Sequence, residues 1–264
     1  MAKKLKTCIC CIIKDEQLYL KEWIEHHLGL GFDAIYLYED YGSLSHLHIV
    51  KEYPNKVFLH SIDEIKDYLY YEGYKQFDLF NYFIKAYKDK YDWVLFNDID
   101  EYVTFKRSYN LQKLLKCFKD ESGIFLYWKN IGNDSQIYAN DNKVVERFKK
   151  ECLILDIDKK SFGFKSFVNL NKDDILLMDL HRVKWGVNTK GERQYVVPIY
   201  DKCWLNHYFT KSWEEWCVRF LKRGDLVKGH RKLDDFFECN ADMLPRKQEL
   251  YDILENEFKK KYLC

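Results

Sequence analysis

Apolar runs in the first hundred residues alternate with segments of helical periodicity. Four short runs rich in β-branched and aromatic residues indicate buried strands: TCICCIIK, AIYLYED, KVFLHSI and DWVLF. Between them, QLYLKEWIEHHLGLG and YKQFDLFNYFIKAYKDKY repeat their apolar residues at helical spacing, and the first helix is expected to end at Gly29 or Gly31. This order predicts β-α-β units.

Strands that are apolar on both faces predict a mostly parallel sheet with helices on both sides. Crossovers between parallel strands are right-handed in nearly every case, which gives a Rossmann-type α/β arrangement. Ligands of such sheets bind at the carboxyl ends of the strands. A site is therefore expected where WVLF runs into polar residues.

The second half of the chain shows a less regular pattern. FGFKSFVNL and DLHRVKWG are typical of short strands, and KSWEEWCVRFLKRGD is typical of a helix with a capping box of Ser212 and Glu215. KQELYDILENEFKKKY predicts an amphipathic helix. We predict one α/β domain over residues 1–232 and a helical C-terminal extension over residues 233–264.

Composition narrows the class of protein. Apolar residues form 47% of the 264 residues and aromatic residues 17%, which excludes a disordered chain, while 32% charged residues argue against an integral membrane protein. A net charge of +1 gives no extended positive field for nucleic acid. Nine irregularly spaced cysteines indicate reduced thiols in a cytosol rather than a disulfide scaffold.

The start of the chain, MAKKLKTCICCIIKDE, has the basic and apolar parts of a signal peptide. Its apolar run is short, meets charged residues directly and has no small-residue cleavage site, so we interpret it as the first strand. No stretch has the roughly 18 apolar residues of a membrane-spanning helix. We expect a cytoplasmic protein whose lysine-rich ends, KKLK and KKKYLC, could contact the inner membrane face peripherally.

Carboxylates cluster in the segment DWVLFNDIDEYV. Asp98 and Asp100 are two residues apart, so in an extended backbone their side chains point to the same side. Two facing carboxylates repel each other unless a cation lies between them. A Mg²⁺ or Mn²⁺ ion that also binds diphosphate oxygens would remove this repulsion. An acidic surface loop is the alternative, and the position after a buried strand favours the metal site.

Three segments together resemble the family 92 glycosyltransferases, which are close to the family 2 group with the GT-A fold. They are ICCIIKDEQLYLKEWIEHHLGLGFDAIYLYEDYGS, DWVLFNDIDEYV and NHYFTKSWEEWCVRFLKRGD, in the family's order. The resemblance implies a GT-A-like fold and an inverting transferase that uses a nucleotide sugar and Mn²⁺ or Mg²⁺. It also implies a metal site of Asp98, Asp100 and His207, in which Asp100 binds the metal directly and Asp98 holds ribose or a metal-bound water.

The same resemblance indicates further contacts with the donor. Lys14-Asp15-Glu16 stands where the family usually has Lys-Asn-Glu, and Tyr38-Glu39-Asp40 stands where it has a Tyr-Asp-Asn-like turn. Because of these two differences, the resemblance determines the nucleobase of the donor less well. Each turn keeps an acid that can accept hydrogen bonds from uracil or ribose, although a simple strand-end turn is the alternative. The predicted donor-binding residues are Lys14, Glu16, Glu39, Asp40, Asp98, Lys211, Arg219 and Arg223.

Three basic residues in that set, all except Lys14, belong to the segment KSWEEWCVRFLKRGD. Lys211 precedes the helix, where exposed N–H groups favour anions, and Arg219 and Arg223 are four residues apart. These charges could stabilise a departing nucleoside diphosphate. A solvated basic face is the alternative interpretation.

Inversion also requires a general base that takes the proton of the acceptor hydroxyl. The segment YWKNIGNDSQIYAND follows an apolar strand, and Asp134 within it is our candidate, with Asp141 and Asp179 behind it. A turn stabilised by Asn133, Asp134 and Ser135 is the alternative.

These observations lead to one predicted function and two alternatives. We predict a metal-dependent inverting glycosyltransferase that moves a hexose from a UDP-sugar to a saccharide or glycolipid acceptor in surface polysaccharide or lipopolysaccharide synthesis. By the family resemblance, UDP-galactose is the first choice of donor. A nucleotidyltransferase would also use paired carboxylates, and would release pyrophosphate instead of a nucleoside diphosphate. A non-catalytic sugar-binding module on the same fold is the second alternative.

Overall fold

The computed structural model describes residues 3–69, 75–152, 163–172, 196–199, 201–223 and 232–263. The strands in these ranges are β1 (Thr7–Ile13), β2 (Ala34–Glu39), β3 (Val57–Ser61), β4 (Trp93–Phe96), β5 (Glu101–Phe105), β6 (Gly123–Asn130), β7 (Phe164–Asn169), β8 (Val196–Ile199) and β9 (Cys203–His207). The α-helices are α1 (Gln17–Gly29), α2 (Leu47–Val50), α3 (Lys75–Tyr87), α4 (Leu111–Cys117), α5 (Val144–Arg147), α6 (Trp213–Arg223), α7 (Asp235–Cys239), α8 (Lys247–Ile253) and α9 (Lys259–Leu263). Short 3-10 helices span Ile62–Tyr68 and Ala241–Arg246, and a π-helical turn spans Leu254–Phe258.

The described strands form one sheet in the order β3-β2-β1-β4-β7-β6-β9-β5, and β8 pairs with β6. The strands β3, β2, β1 and β4 are parallel, which confirms the predicted α/β arrangement. The strand β7 runs antiparallel to both β4 and β6. The carboxyl ends of the parallel strands therefore share one edge, and the site is expected there.

Both faces of the parallel strands are buried. On one face Cys8 and Cys10 of β1 share an apolar cluster with Phe80 and Phe83 of α3. Ile9, between Cys8 and Cys10 on β1, points to the opposite face and is as buried as its two neighbours. Coverage on both sides explains why these strands are continuous apolar runs in the sequence.

The chain divides into two compact units. The first unit comprises Met1–Trp128 and Phe162–Leu205, and the second comprises Lys129–Ser161 and Asn206–Cys264. The sheet belongs to the first unit, apart from the last residues of β6 and β9. The predicted boundary at residue 232 lies inside the second unit.

The C-terminal segment packs against α6 within the second unit. The helix α8, the π-helical turn and α9 follow one another directly, and Leu250, Leu254 and Phe258 on one face are buried. They share a core with Trp213 and Trp216 of α6, and this confirms the predicted amphipathic helix. None of the described helices has the length and apolar character needed to cross a membrane.

Candidate active site

The acidic turn, residues 97–101, joins β4 to β5. The strand β4 ends at Phe96 and β5 begins at Glu101, so the turn lies at the carboxyl end of a parallel strand, as predicted. The Asn97 side chain donates to the Glu101 carbonyl over 3.0 Å. In return, the Glu101 carboxylate accepts the Asp98 N–H over 3.2 Å. The turn is therefore closed by its own hydrogen bonds before any ligand is considered.

Both carboxylate oxygens of Asp98 accept hydrogen bonds from other elements. Gln76 of α3 donates to Oδ1 over 2.9 Å, and Lys165 of β7 donates to Oδ2 over 2.6 Å. The Asp98 side chain remains 36% exposed. These bonds fix the orientation of Asp98, and its direct contact with metal or ribose stays a prediction.

Lys165 is a buried ammonium among carboxylates. Its side chain is 2% exposed, and Nζ lies 3.8 Å from Oε1 of Glu101, which is itself fully buried. Burial alone would lower the pKa of Lys165, but the charges of Asp98 and Glu101 and the hydrogen bond to Asp98 raise it overall. Lys165 therefore stays charged and neutralises part of the acidic turn.

Burial disfavours the ionised form of Glu101. Burial raises its pKa well above the usual range, Lys165 acts in the opposite direction, and the nearby charges of Asp98 and Asp100 raise it further. Among the described residues, its Oε1 atom is buried without a hydrogen-bond partner. Among these four described groups, the carboxyl groups of Asp98, Asp100 and Glu101 and the ammonium of Lys165, negative charge is in excess.

This excess fits a divalent cation. Ligand oxygens of Asp100 and Glu101 lie within 4.8 Å of one another, and Asp100 is half-buried at the end of the turn. Carboxylate oxygens are the ligands that Mg²⁺ and Mn²⁺ prefer. A cation at this point would reduce the repulsion between the two carboxylates.

Three side chains of α1, which we call the α1 clamp, hold the start of β5 against the helix. Trp23 Nε1 donates to the Glu101 carbonyl over 2.9 Å, and His26 Nε2 donates to the Val103 carbonyl over 2.8 Å. His27 Nε2 accepts the Val103 N–H over 3.3 Å. The clamp residues therefore position the strand that carries Glu101.

The sequence analysis missed the α1 clamp, because it considered only the spacing of apolar residues in this helix. Its signal is the spacing of Trp23, His26 and His27, which places the nitrogen atoms of three rings on one helical face. His27 Nδ1 donates to the Trp23 carbonyl over 2.8 Å, so the ring is neutral with its hydrogen on Nδ1. Burial, followed by the proximity of His26, lowers the pKa of His27 well below its usual value.

The turns after β1 and β2, which carry predicted donor contacts, are tied together by His46. The Glu39 carboxylate accepts from the His46 backbone N–H over 2.6 Å and from its Nδ1 over 2.9 Å. His46 Nε2 accepts the Glu16 N–H over 3.0 Å. The sequence analysis missed this fully buried histidine, whose partners are 7 and 30 residues away.

The other two predicted contacts in these turns have different surroundings. Asp40 accepts a short hydrogen bond from Lys75 at the start of α3, and the Lys75 ammonium lies 4.3 Å from the centre of the Tyr41 ring. Lys14 is exposed at the end of β1. Donor binding by Lys14, Glu16, Glu39 and Asp40 stays a prediction.

The entrance of α6 differs from the expected anion site. The capping box is present, because Ser212 Oγ accepts the Glu215 N–H and the Glu215 carboxylate accepts the Ser212 N–H. The N–H groups of Trp213 and Glu214, however, donate to carbonyls of residues 136 and 137. The expectation of exposed N–H groups at this helix entrance was therefore wrong.

The basic side chains of this region are distributed as follows. Lys211 is buried and has a φ of +53°, a left-handed conformation that is uncommon for a lysine. Arg219 lies 6.0 Å from the centre of the Phe209 ring. Arg223 ends α6, and its side chain lies outside the described residues.

Asp134 closes a turn in the second unit. Its carboxylate accepts the N–H groups of Lys149 over 2.8 Å and Lys150 over 3.2 Å. Asp134 and Ser135 both have positive φ values, +47° and +59°. This geometry matches the alternative of a stabilised turn, and the role of Asp134 as general base stays a prediction. Asp141 is exposed in the same loop, and Asp179 lies outside the described residues.

His207 is the last residue of β9 and is 6% exposed. Its Nδ1 donates to the Asn130 side chain over 2.9 Å. In the neutral ring this bond places the lone pair on Nε2, which is the arrangement that metal-binding histidines use. His207 therefore has a tautomer suited to the predicted ligand role.

Comparison with known proteins completes the description. No curated protein matches the chain. Among solved structures, HddC from Yersinia pseudotuberculosis is 9% identical with a TM-score of 0.36, over 77% of this chain and 93% of its own. A protein from Desulfovibrio desulfuricans G20, described as a nucleotide-diphospho-sugar transferase, is 11% identical with a TM-score of 0.34, over 93% and 96%.

A mycobacterial protein is 13% identical with a TM-score of 0.34, and the match covers 48% of this chain and 42% of that protein. The chain thus spans less than half of the length of that relative. The family model named Glycosyltransferase family 92 matches residues 3–236, which is most of the chain. The chain therefore belongs to glycosyltransferase family 92.

Proposed function

We propose that this family 92 protein transfers a hexose from a nucleotide sugar to a saccharide or glycolipid acceptor, with divalent metal and with inversion. UDP-galactose is our first choice of donor, and synthesis of a surface polysaccharide or lipopolysaccharide is the proposed context. The observation that carries the proposal is the acidic turn at the carboxyl end of β4. There, among the described residues, the charges of Asp98, Asp100 and Glu101 act on the buried ammonium of Lys165.

The metal ligands in this proposal are Asp98, Asp100 and His207. Asp100 contributes a direct carboxylate oxygen, while Asp98, held by Gln76 and Lys165, orients ribose or a metal-bound water. His207 contributes Nε2. When bound, the cation supplies positive charge that stabilises the leaving diphosphate.

The remaining donor contacts come from the turns and from α6. Lys14, Glu16, Glu39 and Asp40 contact the nucleoside in this proposal, and the bonds of His46 to two of these residues support a preformed nucleoside site. The cations Lys211, Arg219 and Arg223 balance the charge that develops on the departing diphosphate.

Asp134 takes the proton of the acceptor hydroxyl in this proposal. A carboxylate has about four lone-pair sites, so acceptance of two backbone N–H bonds leaves capacity for a hydroxyl group. Those two bonds also fix the direction of the carboxylate. Asp141 is the second candidate in the described part of the loop.

The experiment that tests the proposal compares Asp100→Asn with Asp120→Asn, which removes an exposed carboxylate from the same unit. Purified variants receive UDP-sugars and other nucleotide sugars with Mn²⁺, Mg²⁺ or EDTA, and released nucleotide is measured by chromatography. We expect metal-dependent release of nucleoside diphosphate, reduced about a hundredfold or more in Asp100→Asn and unchanged in Asp120→Asn.

Other outcomes would reject parts of the proposal. Unchanged metal-dependent turnover in Asp100→Asn would remove this residue from the site. Release of pyrophosphate would identify a nucleotidyltransferase instead. Saturable sugar-nucleotide binding without turnover, across a panel of saccharide acceptors, would identify a binding module. The anomeric configuration of the product, measured by NMR, decides between inversion and retention.

A further inference from the structure

Two cysteines of the second unit lie side by side although they are far apart in the sequence. Cys152 follows the isolated bridge between Ile131 and Glu151, and Cys239 is the last residue of α7. Their thiols form a hydrogen bond with each other. Both residues are half-buried rather than fully enclosed.

The turn over residues 132–135 contacts the segments that carry these two cysteines. On one side, a Cβ atom built on Gly132 would be 3.7 Å from Cα of Cys152. On the other side, Asn240, the neighbour of Cys239, accepts the Asn133 N–H over 2.7 Å. The thiols therefore join the two segments that flank the turn.

The same turn carries Asp134, and its conformation depends on both flanking segments. Asp134 binds the backbone N–H groups of residues 149 and 150, just before Cys152. Ser135 Oγ donates to Asp242 over 3.2 Å, just after Cys239. A bond between the two cysteines would therefore constrain two segments that hydrogen-bond to the turn.

We propose that Cys152 and Cys239 form a site of reversible disulfide formation that braces the turn over residues 132–135. The inference rests on the contacts within the second unit and does not depend on the proposed transferase function. A low-molecular-weight disulfide, such as oxidised glutathione, is the oxidant. A bond across this pair would tie α7 to the segment that ends at Cys152.

The chemistry proceeds in two exchange steps. A protein thiolate attacks one sulfur of oxidised glutathione, which forms a mixed disulfide and releases one glutathione thiolate. The second protein thiolate then attacks the protein sulfur of the mixed disulfide and releases the other glutathione. The two protein thiols are oxidised, one glutathione disulfide is reduced to two thiols, and the two thiol protons pass to the released glutathione.

The hydrogen bond to Cys239, followed by burial, raises the pKa of the Cys152 thiol. Because the thiolate is the reactive form, the rate should rise with pH in the alkaline direction.

The test uses the full chain equilibrated in glutathione buffers from reducing to oxidising. Unreacted thiols are then blocked with iodoacetamide, and the protein is digested and mapped by mass spectrometry. We expect a peptide pair linked through Cys152 and Cys239 at the oxidising end, which disappears on treatment with dithiothreitol. Hydrogen exchange at residues 132–135 should slow in the oxidised protein.

Matched variants make the result specific. Cys117→Ser, which removes an exposed thiol of the first unit, should retain the linked peptide and the slowed exchange. Cys239→Ser and Cys152→Ser should each lose both. If a variant does not fold, the peptide map of the unaltered chain still shows whether Cys152 and Cys239 form a disulfide. The proposal is overturned if both cysteines stay alkylated under oxidising conditions, or if they pair with other cysteines instead.

Discussion

At the scale of single residues, the charge of Lys165 offsets part of the negative charge of the acidic turn. The ammonium contacts Asp98 at 2.6 Å and lies 3.8 Å from Glu101, with almost no exposure to water. A buried carboxylate that loses its partner becomes an uncompensated charge. Lys165 therefore links the stability of the first unit to the geometry of the candidate site.

The first prediction concerns Lys165→Met. Methionine fills a similar volume without charge, so Asp98 and Glu101 lose their cation. We expect a loss of about 3–5 kcal/mol in the free energy of unfolding, measured with urea, because one partner of a buried ion pair is removed. The exposed Lys116→Met serves as control and should change the free energy of unfolding by less than about 0.5 kcal/mol. Equal stability of both variants would contradict the ion pair.

The second prediction concerns the pH dependence that His27 causes. In the folded protein its pKa is lowered, whereas the unfolded chain binds a proton below about pH 6.5. The unfolded state then binds more protons, so stability is complete above that pH and falls as the pH drops through it. We expect a decrease of about 1 kcal/mol between pH 7.5 and pH 5.5, measured by urea unfolding.

The variant His27→Gln should show a smaller decrease over the same pH range. His48→Gln, which changes an exposed histidine at the end of α2, should keep the full decrease. The comparison uses the change with pH rather than absolute stability, because either substitution also alters local contacts. An unchanged pH dependence in His27→Gln would assign the effect to other groups.

The sequence predicted some of these residues and missed others for a physical reason. Asp98 and Asp100 come just after the buried strand β4 in the sequence. The local pattern was therefore sufficient to place them at the edge of the sheet. Lys165 acts on a residue 67 positions away, and the clamp residue His27 acts on one 76 positions away. Such partners depend on strand order, which local periodicity does not encode.

At the scale of elements, α6 is attached to the loop over residues 129–152 by a buried ion pair. Arg147 and Glu215 form two hydrogen bonds, at 3.0 and 2.5 Å, and their side chains are 4% and 7% exposed. Glu215 also completes the capping box with Ser212. One carboxylate therefore caps the start of α6 and also binds Arg147.

The third prediction is that Glu215→Ala destabilises the second unit by about 3–5 kcal/mol, because Arg147 is left buried without its partner. The control is Glu255→Ala, which removes an exposed glutamate from the C-terminal helical segment. The double variant Arg147→Met and Glu215→Ala should regain part of the loss. Urea unfolding measures all three, and additive losses in the double variant would contradict a coupled pair.

The elements themselves were largely predictable, and the direction of one strand was not. The segment FGFKSFVNL has the composition of a strand, and Phe164–Asn169 forms one. Its antiparallel alignment with β4 depends on the order of the strands in the sheet, which its own residues do not encode. Residues 179–186, predicted as another strand, lie outside the described residues.

At the scale of the whole molecule, ligand binding should appear as added stability. A ligand that binds only the folded chain stabilises it by about 2.7 kcal/mol at a hundred times its dissociation constant. The fourth prediction is that UDP and Mn²⁺ together raise the melting temperature, measured by thermal shift, by more than the sum of their separate effects. The variant Asp100→Asn should lose this synergy, whereas Asp120→Asn should retain it.

The position of β7 in the sheet has a consequence for the order in which the chain is made. Synthesis proceeds from the N-terminus at about 5–20 residues per second, so the carboxylates of the acidic turn leave the ribosome several seconds before Lys165. Until β7 inserts beside β4, nothing from that strand neutralises Asp98 or Glu101. The charge balance of the candidate site is therefore completed only after the parallel strands have been synthesised.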